Sequence, residues 1–136
     1  MIAQTITTSF KQDILQALQS LTTDVLKMAL YTGAASLDAD TTIYTTLNEV
    51  TGTGYTAGGK LCSNVTLNTL GTIVYVSFDN VVWTNVSFTC RGALIYNTSK
   101  SNKSVALLNF GSDKIAGPNF TVTLPANSAN SALIRI

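Results

Sequence analysis

The stretch LCSNVTLNTLGTIVYVSFDNVVWTNVSFTCRGALIY, residues 61–96, carries the pattern that decides the fold. Apolar and polar residues alternate along most of it, and successive side chains of a β-strand point to opposite faces of a sheet. Gly71 and the pair Asp79-Asn80 interrupt the alternation, as turn residues do. Residues 72–78 are apolar on both faces, which predicts a strand at the centre of a sandwich. Further strands are predicted over residues 81–83, 86–90 and 93–96.

The same alternation continues on either side of this stretch. Upstream, Leu26, Met28 and Leu30 alternate with their neighbours and predict a strand. Downstream, strands are predicted over residues 105–110, 120–124 and 132–136, and Pro125 ends the second of these. About eight short strands, separated by turn signals roughly every 8–12 residues, predict a mainly β fold. We expect an antiparallel β-sandwich, Ig-like or jelly-roll-like, formed as one domain by residues 1–136.

One helix is predicted near the N-terminus, over about residues 9–21. Ser9 would cap its first turn, and Gln12 three residues later completes a capping-box pattern. An apolar stripe follows the helical period. The stripe consists of Phe10, Ile14, Leu18 and Leu21, opposite Gln12, Asp13, Gln16 and Gln19. We favour a helix that covers one end of the domain's own core over a helix that docks on a partner.

The two cysteines are predicted to be free thiols. Cys62 shares its strand face with Asn64 and Thr66 and is therefore expected to point outward. Cys90 shares its face with Val86 and is expected to point inward. Side chains on opposite faces do not meet, so the pattern predicts no disulfide and a reducing compartment such as a cytosol.

Composition excludes several classes of function. Only 11% of the residues are charged and the net charge is +1, against about 25% charged residues in typical soluble domains. Such a weakly charged surface associates easily, which indicates a protein that works in an assembly. The eight basic residues are scattered, which predicts no nucleic-acid partner, and no apolar run is long enough for a membrane helix. No secretory signal is evident at the N-terminus either.

Catalytic and cofactor chemistry has little support in the residue types present. The chain has no histidine, which removes the commonest general base and metal ligand. The candidate carboxylates Asp38 and Asp40 are two positions apart, whereas Glu49 and Asp79 are isolated. We therefore expect a protein that is not an enzyme and that binds no cofactor or metal. We also expect Trp83 to be a core residue rather than a platform for carbohydrate.

The most distinctive segments lie between residues 32 and 59. Residues 32–46 predict an extended surface segment anchored by Leu37 and Tyr44. Residues 51–59, TGTGYTAGG, form a glycine-rich loop that lacks the helix and the Lys-Ser/Thr pair of a phosphate-binding loop. Tyr55 either anchors this loop to the core or protrudes as a contact, and the sequence leaves both open. The residues predicted to contact a partner are Tyr44, Thr53, Gly54, Tyr55 and Thr56.

Nearly the whole chain resembles a family of small virion structural proteins of tailed bacteriophages. The resemblance rests on FKQDI (10–14), KMALYT (27–32), YTT (44–46), NEV (48–50), GTGYTAGG (52–59), WTN (83–85), RGALIY (91–96) and NFG (109–111). The segment at residues 52–59 is its most specific part. Residues 18–20, LQS, depart from the family, which usually has a histidine-containing segment there.

This resemblance implies a component of the phage particle that is assembled in the bacterial cytoplasm and located in the virion. Our first hypothesis is a capsid decoration or cement protein that binds between major capsid subunits and stiffens the shell, as a homo-oligomer and specifically a trimer. The alternative is a tail component, such as an adaptor, a baseplate module or a fibre base that binds host-surface carbohydrate.

Overall fold

A computed structural model describes residues 1–136 and confirms the mainly β fold with one N-terminal helix. Helix α1 spans Thr8–Leu15, and a single 3-10 turn spans Thr98–Lys100. The strands are β1 (Thr5–Ile6), β2 (Leu26–Tyr31), β3 (Lys60–Leu61), β4 (Thr66–Leu70), β5 (Ile73–Ser77), β6 (Val81–Thr84), β7 (Phe88–Asn97), β8 (Lys103–Ala116), β9 (Asn119–Val122) and β10 (Ile134–Arg135).

The strands form three antiparallel sheets around a shared core. The largest sheet has the order β1-β8-β7-β2-β3, the second β10-β5-β4, and the third pairs β6 with β9. The main core is built from every sheet and from the helix. Its members include Phe10, Met28, Val76, Trp83 and Ile95. Trp83 is 1% exposed, so the prediction of a core tryptophan is confirmed.

A second apolar cluster lies on the other face of the largest sheet. Residues 32–49 cover this face, where Leu37 is buried beside Tyr31 and Leu94. The ring of Tyr44 stacks on that of Tyr96, with centroids 4.6 Å apart. The predicted surface segment and both of its anchors are therefore confirmed, and the sheet is buried on its two faces where β2 and β7 pair.

The predicted limits of the helix were wrong. Its cap is Thr7, whose side chain accepts a hydrogen bond from the Phe10 N–H, and not Ser9. The helix ends at Leu15, and Ala17 has a left-handed φ of 57°. Leu18 is consequently exposed, whereas Gln19 is buried.

Buried hydrogen bonds explain this reversal of the expected polarity. The Gln19 amide donates to Asp13 at 2.9 Å, and the Asn97 amide donates to the Gln19 side chain at 3.1 Å. Asn97 also donates to Asp24 at 2.7 Å. This polar network fastens the end of the helix to β7, and a pattern of hydrophobicity alone does not reveal it.

Two predicted strands are one, and one predicted central strand is only partly covered. Residues 86–90 and 93–96 were expected as separate strands but both fall within or against β7, which pairs with β8 through an irregularity between Cys90 and Gly92. β5 is the middle strand of its sheet, yet Val74 is 38% exposed. The three-stranded sheet β10-β5-β4, which we call the small sheet, therefore has a face that nothing in the chain fully covers.

The outward orientation predicted for Cys62 was also wrong. Cys62 is 6% exposed and belongs to the same core cluster as Cys90. The alternation stops at Leu61, where β3 ends, and the Cys62 N–H donates to the Leu26 carbonyl as the chain turns inward. Both thiols are free, and burial raises the pKa of each to about 12.

Candidate interaction surface

The glycine-rich loop at residues 51–59 is fastened to the body of the protein by one buried carboxylate. Glu49 is 7% exposed, and its Oε2 accepts a hydrogen bond from the Tyr44 hydroxyl at 2.7 Å. Its Oε1 accepts from the Tyr55 hydroxyl and from the Gly58 N–H, each at 2.7 Å. The Tyr55 hydroxyl in turn accepts from the Leu30 N–H of β2 at 2.9 Å. The carboxylate thus joins the loop, the preceding segment and the largest sheet.

Two further tyrosines complete this tyrosine cluster, which consists of Tyr31, Tyr44, Tyr55 and Tyr96 around Glu49. The Tyr96 hydroxyl donates to the Gly58 carbonyl at 2.7 Å, and the Tyr31 hydroxyl donates to the Thr45 carbonyl at 2.6 Å. Burial, reinforced by the charge of Glu49, raises the pKa of all four, that of Tyr96 to about 12. The hydroxyls therefore keep their protons and act as donors.

The glycines allow the loop to lie directly against neighbouring backbone. Gly59 has a φ of +77°, and a side-chain carbon there would overlap the Met28 carbonyl of β2. At Gly54, with a φ of +81°, such a carbon would lie 2.6 Å from the Asn85 carbonyl oxygen. The Ser87 N–H donates to the Thr53 carbonyl at 3.0 Å. The loop is tightly turned and packed on two sides.

The five residues predicted to contact a partner fall into two groups. Thr53, Gly54 and Thr56 are exposed, and we call these three the loop rim. Tyr55 is half-buried, with its ring centroid 5.7 Å from that of Phe88. Of the two alternatives for Tyr55, the structure shows the anchor. Tyr44 is likewise held from within, so both tyrosines support the rim.

The residue that organises this site is Glu49, which the sequence offered only as an isolated carboxylate. It is the one acidic residue among residues 41–78, and Tyr44 and Tyr55 lie five and six positions away. That spacing was the available signal. The other candidate carboxylates lie elsewhere: Asp38 accepts from the Asp40 N–H, and Asp79 accepts from the Asn64 amide.

A second feature is an apolar groove between α1, the loop that follows it and the small sheet. The groove has a volume of about 220 Å³. Its apolar lining includes Phe10, Ile14, Leu21, Leu67, Val74 and Ile136. Leu67 and Ile136 are 56% and 72% exposed, so this surface is open to solvent.

No group of three or more His, Cys, Asp and Glu side chains is placed to hold a metal ion. None of the helices has the length and apolar character needed to cross a membrane. Comparison with protein-family models, with curated proteins and with solved structures found no match. The similarity to phage virion proteins therefore remains a hypothesis from the sequence.

Proposed function

We propose that this chain is a structural subunit of a bacteriophage virion that decorates the capsid. In this proposal the loop rim docks between major capsid subunits and cements the shell, and the protein acts without catalysis. The observation that carries the proposal is an exposed, uncharged rim held on a fixed base by the hydrogen bonds of Glu49.

A fixed loop suits docking because ordering a mobile one opposes binding. Immobilising side chains and loops at an interface costs about 0.5–1.5 kcal/mol for each flexible side chain. Here the Glu49 carboxylate and the two tyrosine hydroxyls have already ordered the loop in the free protein. Most of the binding energy of the rim would therefore remain available for affinity.

The surface around the rim also suits burial against another protein. The exposed residues Asn85 and Ser87 lie beside the loop and are polar but uncharged. Uncharged groups lose less hydration energy on burial than ions do. An ion removed from water also requires a partner of opposite charge. The resemblance to phage virion proteins, strongest at residues 52–59, supports the same assignment.

Virions of the encoding phage provide the first test. We expect a copy number comparable to that of the major capsid protein, measured by quantitative mass spectrometry. We also expect particles that lack the protein to release DNA at a lower temperature, and added protein to restore the normal temperature. A copy number of about a dozen or fewer and a location at the tail would replace the capsid assignment by the tail alternative.

A pair of threonine variants tests the rim itself. Thr56→Lys places a charge on the rim, whereas Thr23→Lys places the same charge on an exposed loop elsewhere. We expect Thr56→Lys to lose binding to depleted particles and Thr23→Lys to bind as the wild type does. Equal binding by the two variants would exclude the rim as the docking surface.

A further inference from the structure

β4 is an edge strand of the small sheet. The backbone N–H and C=O groups on its outer side have no hydrogen-bond partner in the sheet. The Val74 N–H of β5 donates to the Ile136 carbonyl at 3.0 Å, and the Val74 carbonyl accepts from the Ile136 N–H at 2.8 Å, so both groups point toward β10. Because these directions alternate along a strand, the groups of Val74's neighbours point toward β4. In the observed register, the N–H and C=O groups of Leu67 and Thr69 then point away from the sheet.

This edge lacks the devices that normally protect an exposed strand. β4 has five residues, whereas the other terminal strands have two or four. β9, with four, lies between Pro118 and Pro125. Lysine, proline or a bulge usually discourages pairing at an edge, and β4 has none of them. The whole run of residues 61–78 carries no formal charge.

We propose that β4 pairs with β4 of a second copy of this chain. The two strands run antiparallel about a twofold axis at Asn68 and join two three-stranded sheets into one of six strands. Leu67 then lies opposite Thr69 of the second copy, and each such pair exchanges both of its backbone hydrogen bonds. Asn68 lies opposite its own counterpart.

The charge and shape of the edge favour a second copy as its partner. A strip without formal charge neither repels its own copy nor offers a counter-ion to a charged chain. In the twofold register, each outward-pointing backbone N–H and C=O of Leu67 and Thr69 forms a hydrogen bond with the second copy. Leu67 and Val74 line the apolar groove, so pairing also joins the grooves of the two copies into one.

The size of the contact sets its expected strength. Stable interfaces bury about 1,200–2,000 Å² in total, and a single pair of five-residue strands buries less than that. We therefore expect a dimer that forms reversibly at micromolar or higher concentration. Its twofold symmetry differs from the threefold arrangement expected from the sequence, so mass in solution separates the two.

Matched cysteine variants test the register. In the twofold arrangement the Asn68 positions form a non-hydrogen-bonded pair with Cα atoms about 4.5 Å apart, within reach of a disulfide. The two Leu70 positions would lie about 13 Å apart, four residues out of register. Under mild oxidation we expect Asn68→Cys to give a covalent dimer and Leu70→Cys to give none. Equal cross-linking of both variants, or of neither, would overturn the proposal.

A proline variant tests the backbone hydrogen bonds. Thr69→Pro removes an N–H that points away from the sheet, so it removes no bond within the protein. At a concentration where sedimentation gives the wild type twice its mass of 14.4 kDa, we expect Thr69→Pro to fall to the monomer mass. Thr69→Val keeps the N–H and should keep the dimer. A wild type that stays monomeric throughout refutes the pairing but leaves the virion copy-number test standing.

Discussion

The carboxylate of Glu49 is buried and forms no ion pair. The three ion pairs of the protein involve Arg91, Lys100 and Lys103, and none of them includes Glu49. A buried charge is stable only if hydrogen bonds replace the water that it has lost. Two hydroxyls and one N–H do so here. The three donors and the one acceptor depend on each other, so the loop and its anchor should lose structure together.

Replacing this carboxylate by an amide tests that dependence. Glu49→Gln keeps the size of the side chain but turns one acceptor oxygen into a donor that faces another donor. A buried group left unsatisfied costs about 1–3 kcal/mol, so we expect the free energy of unfolding in urea to fall by about 2–3 kcal/mol. Asp38→Asn, on an exposed turn, should change it by about 0.5 kcal/mol or less. Equal effects of the two substitutions would contradict the assignment of Glu49 as the organising residue.

Among the elements, the glycine-rich loop depends on one close approach of backbone to backbone. Gly59 lies against the Met28 carbonyl in a left-handed conformation, just before β3 pairs with β2. Gly71, in the β4–β5 turn, is also left-handed, with a φ of +60°, but no atom lies within 4 Å of the place a side chain would occupy. A comparison of substitutions at the two glycines therefore distinguishes the cost of steric overlap from the cost of a strained backbone conformation.

Alanine substitutions at these positions should differ strongly. Gly71→Ala is expected to lower the free energy of unfolding by about 1–2 kcal/mol, the cost of a left-handed alanine. Gly59→Ala adds overlap with β2 and should cost at least about 2 kcal/mol more, as overpacking does. Urea unfolding measures both, and the yield of folded protein reports on Gly59→Ala if it does not fold. Similar losses at the two positions would mean that the close approach at Gly59 is unimportant.

The elements that the sequence predicts best are those with the strongest periodicity. The alternation of Leu26, Met28 and Leu30 predicts β2, and Trp83 is correctly placed in the core. Predictions failed where a polar network or an early strand end overrides the pattern. Gln19 is buried by its bonds to Asp13 and Asn97, and Cys62 turns inward because β3 has already ended.

The candidate site shows the same limit. The exposed loop rim could be predicted from its composition. For Tyr55 the sequence allowed two roles, an anchor of the loop or a protruding contact. Sequence could not choose between them, because the hydroxyl of Tyr55 meets Glu49 only after residues 44–58 fold back on β2. Hydrogen bonds between neutral donors and one carboxylate leave no periodic trace, so the organising residue was missed.

The folded molecule buries several thiol and phenol groups in their protonated, neutral form. This burial predicts how the stability of the protein depends on pH. Burial raises the pKa of Cys62 and Cys90 from 9.0 to about 12, and that of Tyr96 from 10.0 to about 12. At neutral pH the folded and unfolded chains hold the same protons on these groups. Above it the unfolded chain loses them first, so the unfolded state is favoured.

We therefore expect these groups to leave the free energy of unfolding almost unchanged near neutral pH and to lower it steadily as the pH rises toward 12. Urea unfolding at a series of pH values measures the slope. The double variant Cys62→Ala/Cys90→Ala removes two of the raised groups and should show a shallower fall over the same range, even if it is less stable at neutral pH. An unchanged slope in the double variant would mean that the thiols are not buried in the folded state, contrary to their position in the main core.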